Sequence, residues 1–214
     1  MKMRQLFANE LKLLSHSVVA RVFFLLTVGL GVIGVNSVQF SNQMVLRGMI
    51  QSSAQTSLGS AKYAAVGGAA FFAMLTLLSL SRDKRAGSQD LLAASRDYRH
   101  VVLVRIAALV VAAWLTAVVT ALVGSLSHFV LCDAAYEIRL YAFSYSVILF
   151  PALAYAVLLC SGLYRVWESL DVSFLAFGII CLMGRSSQGY LMRWRDGGAS
   201  PSADGGGLVP VARD

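Results

Sequence analysis

His128 and Asp133 stand as H-x-x-x-x-D, a histidine and a carboxylate of the types that pair when an acid orients an imidazole as general base. Other candidates for chemistry are scattered. His16 and His100 lie beside charged segments and read as solvated. Cys132, Cys160 and Cys181 are odd in number, widely spaced and each beside or inside an apolar run. With no metal or redox spacing among them, they are expected to be buried thiols. The sequence holds no H-E-x-x-H, no G-x-S-x-G and no phosphate loop G-x-x-x-x-G-K-S/T. No catalytic, cofactor or metal site is therefore assigned, and the chain is expected not to be an enzyme on its own.

The elements that would position any site follow from composition. Of 214 residues only 14% are charged and 57% are hydrophobic, whereas a soluble domain draws about 25% of its residues from Asp, Glu, Lys and Arg. Positions 22–46, 63–81, 106–132 and 140–164 hold no charge at all. A helix needs about 20 apolar residues to cross some 30 Å of hydrocarbon. The chain is thus expected to be an all-α, polytopic helical membrane protein with spans at about 18–38, 63–81, 103–131 and 140–164. Pro151 should kink the last of these. A short fifth segment, 172–184, is partial or re-entrant, and the Gly- and Pro-bearing tail 196–214 should be disordered. The transmembrane domain then covers 18–195, with 39–62 a polar loop or short helix. No carboxylate lies within the four runs, which argues against a carrier driven by an intramembrane acid.

Residues 1–17 form an amphipathic interfacial helix. Met3, Phe7, Leu11 and Leu14 make its apolar side, while Arg4, Gln5, Asn9 and Lys12 take the other. Arg21 can snorkel to the headgroups. Gly29, Gly31 and Gly34 of the first span, with Ala64, Gly67, Gly68 and Ala70 of the second, could admit close helix neighbours. Thr27, Thr76, Ser79, Thr116, Thr120, Ser125, Ser144, Ser146 and Ser161 read as interhelical hydrogen bonds. Trp114, Tyr145 and Tyr155 would either pack or line an amphiphile path.

Counting Lys and Arg over four spans with the N-terminus inside places ten on the inner side, and Arg47, Lys62 and Arg139 outside. That bias sets a cytoplasmic N-terminus in a cell inner membrane. If the fifth segment crossed, the split including the C-terminal arginines would be eleven to seven, against fifteen to three if it did not. The second arrangement is favoured.

The inner segment 81–105, SRDKRAGSQDLLAASRDYRHVVLVR, is longer than a connector needs and carries a Leu91–Leu92 pair among charges. Such a helix suits docking of a soluble partner; a plain basic anchor is the other reading. Here the sequence resembles the membrane subunits of ABC type 2 exporters. Those have an interfacial helix before the first span and a cytoplasmic coupling helix between spans two and three. Asp83, Lys84, Gly87, Ser88, Asp90, Leu91, Leu92, Ser95, Arg96 and Arg105 follow the family's order, without its usual proline, and LFANELKLLSHS is similar to its first helix, with Glu10 as the acidic position. The resemblance covers about residues 1–130, and the chain departs from the family's six spans, as a truncated or split permease would.

The resemblance implies a permease subunit that binds no cofactor itself, working with a separate cytoplasmic P-loop ATPase that binds ATP, within a homodimer or heterodimer and among membrane lipids. Coupling would fall to Glu10, Arg85, Gly87, Asp90, Leu91, Leu92 and Arg96. Two other classes share the spans: a non-catalytic membrane scaffold or assembly factor, and an interfacial lipid-modifying enzyme. The last rests on His128 and Asp133, which the topology places on the outer side with no Glu-Gly motif downstream.

Overall fold

The computed structural model describes residues 3–45, 53–85, 98–131 and 137–197. Among these there is no strand. The helices are α1 (Met3–His16), α2 (Val18–Val45), α3 (Ser53–Arg85), α4 (Tyr98–Leu131), α5 (Ile138–Ser144), α6 (Phe150–Trp167) and α7 (Leu170–Gly197), with a π-helical turn at Tyr145–Leu149 joining α5 to α6. Four stretches are long and apolar enough to cross a membrane: Val18–Ser37, Ser53–Arg82, His100–Val130 and Ile138–Trp167. The protein is an all-α polytopic membrane protein.

The second span begins ten residues before the charge-free run does, because 53–62 is helix and not loop. Its small hydroxyl side chains make this possible. Ser57 Oγ donates to the Ala54 carbonyl at 3.0 Å and Ser60 Oγ to that of Ser57 at 3.1 Å. Each polar atom is thereby satisfied inside a helix packed on its neighbours. Lys62 consequently lies within α3, on its exposed side, rather than in a loop. The first helix likewise continues to Val45, past the expected end.

α3 is the centre of the bundle. It packs along α2 on one side and along α5, the π turn and α6 on another; α4 closes the bundle against α2 and α6, and α1 lies on α4 and α2. Small residues admit close neighbours, as expected for Gly34 against α3 and Gly31 against α4 but not for Gly29. A Cβ on Gly34 would stand 2.8 Å from the Ser60 Cα, and one on Gly31 2.6 Å from Thr120 Cγ2, whereas Gly29 has nothing within 4 Å. On α3, Ala64 is fully buried, and a Cβ on Gly68 would meet Thr27 Cγ2 at 2.8 Å. Around this seam Phe72, Leu109, Tyr141, Leu149 and Leu153 form the core.

Where Pro151 was expected to kink the fourth span, the chain widens one turn. The Phe150 N–H bonds the Tyr145 carbonyl five residues back, and Pro151 then falls in the first turn of α6, where its missing N–H costs least. α6 ends at Glu168, whose φ of 49° places it in the left-handed region, and its N–H bonds the Tyr164 carbonyl at 2.8 Å. The fifth apolar segment is Leu170–Met183, within the longer α7. Phe177 packs with Ala73, Leu77, Ala156 and Cys160. Tertiary contacts group the chain through Phe177 as one unit, and a second begins at Gly178, where α7 runs on to Gly197. The expected tail is helical at 196–197, and 198–214 lie outside the described residues.

Gly34→Ala forces α2 away from α3 and should cost about 1–3 kcal/mol as an overpacked contact. Gly29→Ala should be neutral or gain up to about 1 kcal/mol of helix propensity. Thermal unfolding of the two variants in one detergent, read side by side, checks the seam.

Candidate functional site

Two polar clusters sit at opposite ends of the bundle. At the α1 end the central group is Glu10, the only carboxylate in the first 82 residues. It occupies the same helical face as Phe7 and Leu14, three and four residues away. Both are partly buried, whereas Met3 and Leu13 are exposed. The amphipathic reading of α1 holds for Phe7, Leu11 and Leu14, all partly buried while Arg4, Gln5, Asn9 and Lys12 are exposed, and departs only at Met3; its most buried side chain is the acid, at 6% exposure.

Glu10 is buried because cations meet it. Arg82 Nη2, near the end of α3, lies 3.1 Å from Glu10 Oε1, and Arg105 Nη2, in the second turn of α4, lies 3.4 Å from the same oxygen. Arg105 Nη1 also donates to the Ser79 carbonyl at 3.2 Å. The two arginines differ in setting. The Arg105 side chain is 3% exposed and that of Arg82 45%, so water already screens Arg82 while Arg105 depends on its protein partners. One carboxylate on α1 therefore ties together the ends of the two helices that flank residues 86–97. Beside it, Lys84 Nζ donates to the Glu168 carbonyl at 3.1 Å, joining the end of α3 to the α6–α7 turn. Arg21 donates to the His16 carbonyl at 3.1 Å, holding α1 to the start of α2.

Of the expected coupling residues, Glu10 lies in this cluster and Arg85 is the last residue of α3. Gly87, Asp90, Leu91, Leu92 and Arg96 lie outside the described residues. Arg105, last in the order that resembles the family's, pairs with Glu10 instead of standing alone; the signal for that pairing was that Glu10 is the one acid before residue 83.

At the far end the cluster is uncharged apart from a histidine. Tyr141 Oη and His128 Nδ1 are hydrogen-bonded at 2.8 Å, Tyr145 Oη donates to Ser60 Oγ at 3.0 Å, and Ser57 and Ser144 hydroxyls meet at 3.1 Å. All six are buried. The Tyr141 and Tyr145 rings stack with centroids 6.2 Å apart. Asp133 lies outside the described residues, so the H-x-x-x-x-D pair is represented by His128 alone, whose Nδ1 is taken by tyrosine.

Most hydroxyls expected to bridge helices bond their own helix instead. Thr27, Thr76, Thr116, Thr120, Ser125 and Ser161 each donate to a carbonyl three or four residues back. Ser144 does reach across, to Ser57 in the first turns of α3. Cys160 is buried as expected, Cys181 is exposed, and Cys132 lies outside the described residues. His16 and His100 are exposed, in keeping with solvated side chains. Among the described residues no three His, Cys, Asp or Glu side chains come together as a metal site would need.

Glu10→Gln removes a carboxylate that buried Arg105 pairs with at 3.4 Å, and a loss of about 3–5 kcal/mol is expected. Arg82→Gln removes a half-exposed partner and should cost about 0–1 kcal/mol. Thermal unfolding of the two variants tests the asymmetry, and equal losses would contradict it.

Set against known proteins, the chain matches no family model, no curated protein and no solved structure.

Proposed function

We propose that this chain is the permease subunit of an ATP-driven exporter of the ABC type 2 kind, working with a separate cytoplasmic P-loop ATPase. The observation that carries the reading is the Glu10 cluster. A partner pushing on residues 86–97 would move the ends of α3 and α4, and because Arg82 and Arg105 share one carboxylate, α1 would move with them. Bundle and interfacial helix then shift as one rigid lever, as switching access between membrane faces requires. The docking surface would be Arg85, Gly87, Asp90, Leu91, Leu92 and Arg96, with Glu10 behind it.

The remaining support comes from charge and motif. Ten Lys and Arg residues on the α1 side of the first four spans, against three on the other, favour a cytoplasmic N-terminus. ATP would bind the partner, since no phosphate loop occurs in these 214 residues. Four spans are few for a whole translocation path, so the working unit would be a homodimer or heterodimer in the inner membrane.

The test is a pull-down from mild detergent or nanodiscs with mass spectrometry of the soluble proteins retained. A stoichiometric P-loop ATPase is expected, released when Arg85, Asp90 and Arg96 are charge-reversed while membrane insertion persists. Isolation with no ATPase, or association that survives the reversal, would overturn the reading.

A further inference from the structure

Between α4 and the α5–π-turn segment runs an apolar cavity of about 250 Å³. Its floor is built from small side chains one turn apart, Ala117, Ala121 and Ser125 of α4, and its back wall is the stacked pair Tyr141 and Tyr145. Both phenols are held by the hydrogen bonds to His128 and Ser60, so the wall is fixed in place and the space is not slack in the packing. The rim stands out on either side: Trp114 is 52% exposed, Leu122 56% and Ile138 52%. Ser146, the second residue of the π turn, completes the rim and is exposed.

The dimensions select the occupant. From Trp114 to Ser125 is eleven residues, or about 16 Å along the helix axis, which matches half of a hydrocarbon layer of about 30 Å. Trp114 lies near the middle of the span His100–Val130, and the other end of the groove is level with the start of α5. The groove therefore runs from mid-membrane to the surface opposite α1, open sideways to lipid for the depth of one leaflet. Its walls are mostly apolar side chains with no charged residue among them, so it suits a hydrocarbon chain and offers a charged headgroup no partner. A helix from a second copy, about 10 Å across, is kept out by the tall rim; close helix contact needs small residues at the surface, and here they lie at the bottom.

We propose that this groove holds one acyl chain of a phospholipid from the leaflet opposite α1, as a specific lateral lipid site. The site goes beyond the exporter reading and does not depend on it.

The test is native mass spectrometry of full-length protein taken from vesicles of phosphatidylethanolamine and phosphatidylglycerol into mild detergent. Wild type should retain one phospholipid per chain. Ala121→Phe fills the floor and Ser146→Phe covers the mouth, and each should lower the retained fraction at least tenfold. Leu158→Phe, on an exposed face of α6 away from the groove, should keep it. Ser146 is exposed, so its variant decides the matter if Ala121→Phe fails to fold. Wild type free of lipid, or retention undiminished in Ser146→Phe, would overturn the site. So would a lipid-free dimer in which Leu122→Cys chains cross-link to one another, since the groove would then be covered by a second copy. None of these outcomes bears on whether an ATPase binds.

Discussion

In hydrocarbon, apolar side chains gain nothing by leaving solvent for one another, so helices associate through close packing and internal hydrogen bonds. The bundle answers this constraint at one seam. α3 approaches α2 so closely at Gly34 that a single added carbon would meet the backbone at Ser60. From that contact the rest is positioned. Ser60 receives the Tyr145 hydroxyl and neighbouring Ser57 meets Ser144, so the depth of α3 against α2 also sets where the fourth span can sit. The π turn belongs to the same arrangement, because it lets Ser144 and Tyr145, adjacent in sequence, both be buried.

The two polar clusters use different chemistry at comparable depths, each within a few residues of the span ends. At the α1 end charges are compensated: Arg82 keeps much of its hydration, and buried Arg105 has the Glu10 carboxylate. At the opposite end an unpaired ion would be costly, and the described cluster is built from hydroxyls, phenols and one imidazole that bond one another. The first cluster joins elements distant in sequence at a surface where soluble proteins can reach them. The second stiffens a wall facing lipid.

Much of this was legible in the sequence where a single physical rule dominates. Four runs without charge gave the spans, since one unpaired ion in hydrocarbon outweighs many apolar residues. The helix α1 was legible from its period. What escaped depended on partners that no local pattern names. Residues 53–62 read as a polar loop or short helix outside the second span because Ser, Thr and Gly are poor helix formers in water, yet against α2 their small size is what packing needs. The burial of Glu10 escaped because its face is decided by Arg105, 95 residues away. The hydroxyls erred the other way. Bridging helices was the natural expectation for Thr27 or Thr120, but a carbonyl one turn back lies nearer than any neighbour. Of the expected coupling residues, only Glu10 and the backbone end of α3 at Arg85 fall on described residues.

The tie at Glu10 also imposes an order of assembly. Synthesis delivers the acid first, its partner Arg82 only 72 residues later and Arg105 95 residues later. Until α4 emerges, Glu10 has only the half-exposed Arg82 to pair with and lacks buried Arg105, so α1 is not fully held while the α2–α3 hairpin inserts. α1 is thus made before its partners yet is among the last to take its place, and its docking acts as a clasp that closes only on a bundle whose third span is already threaded.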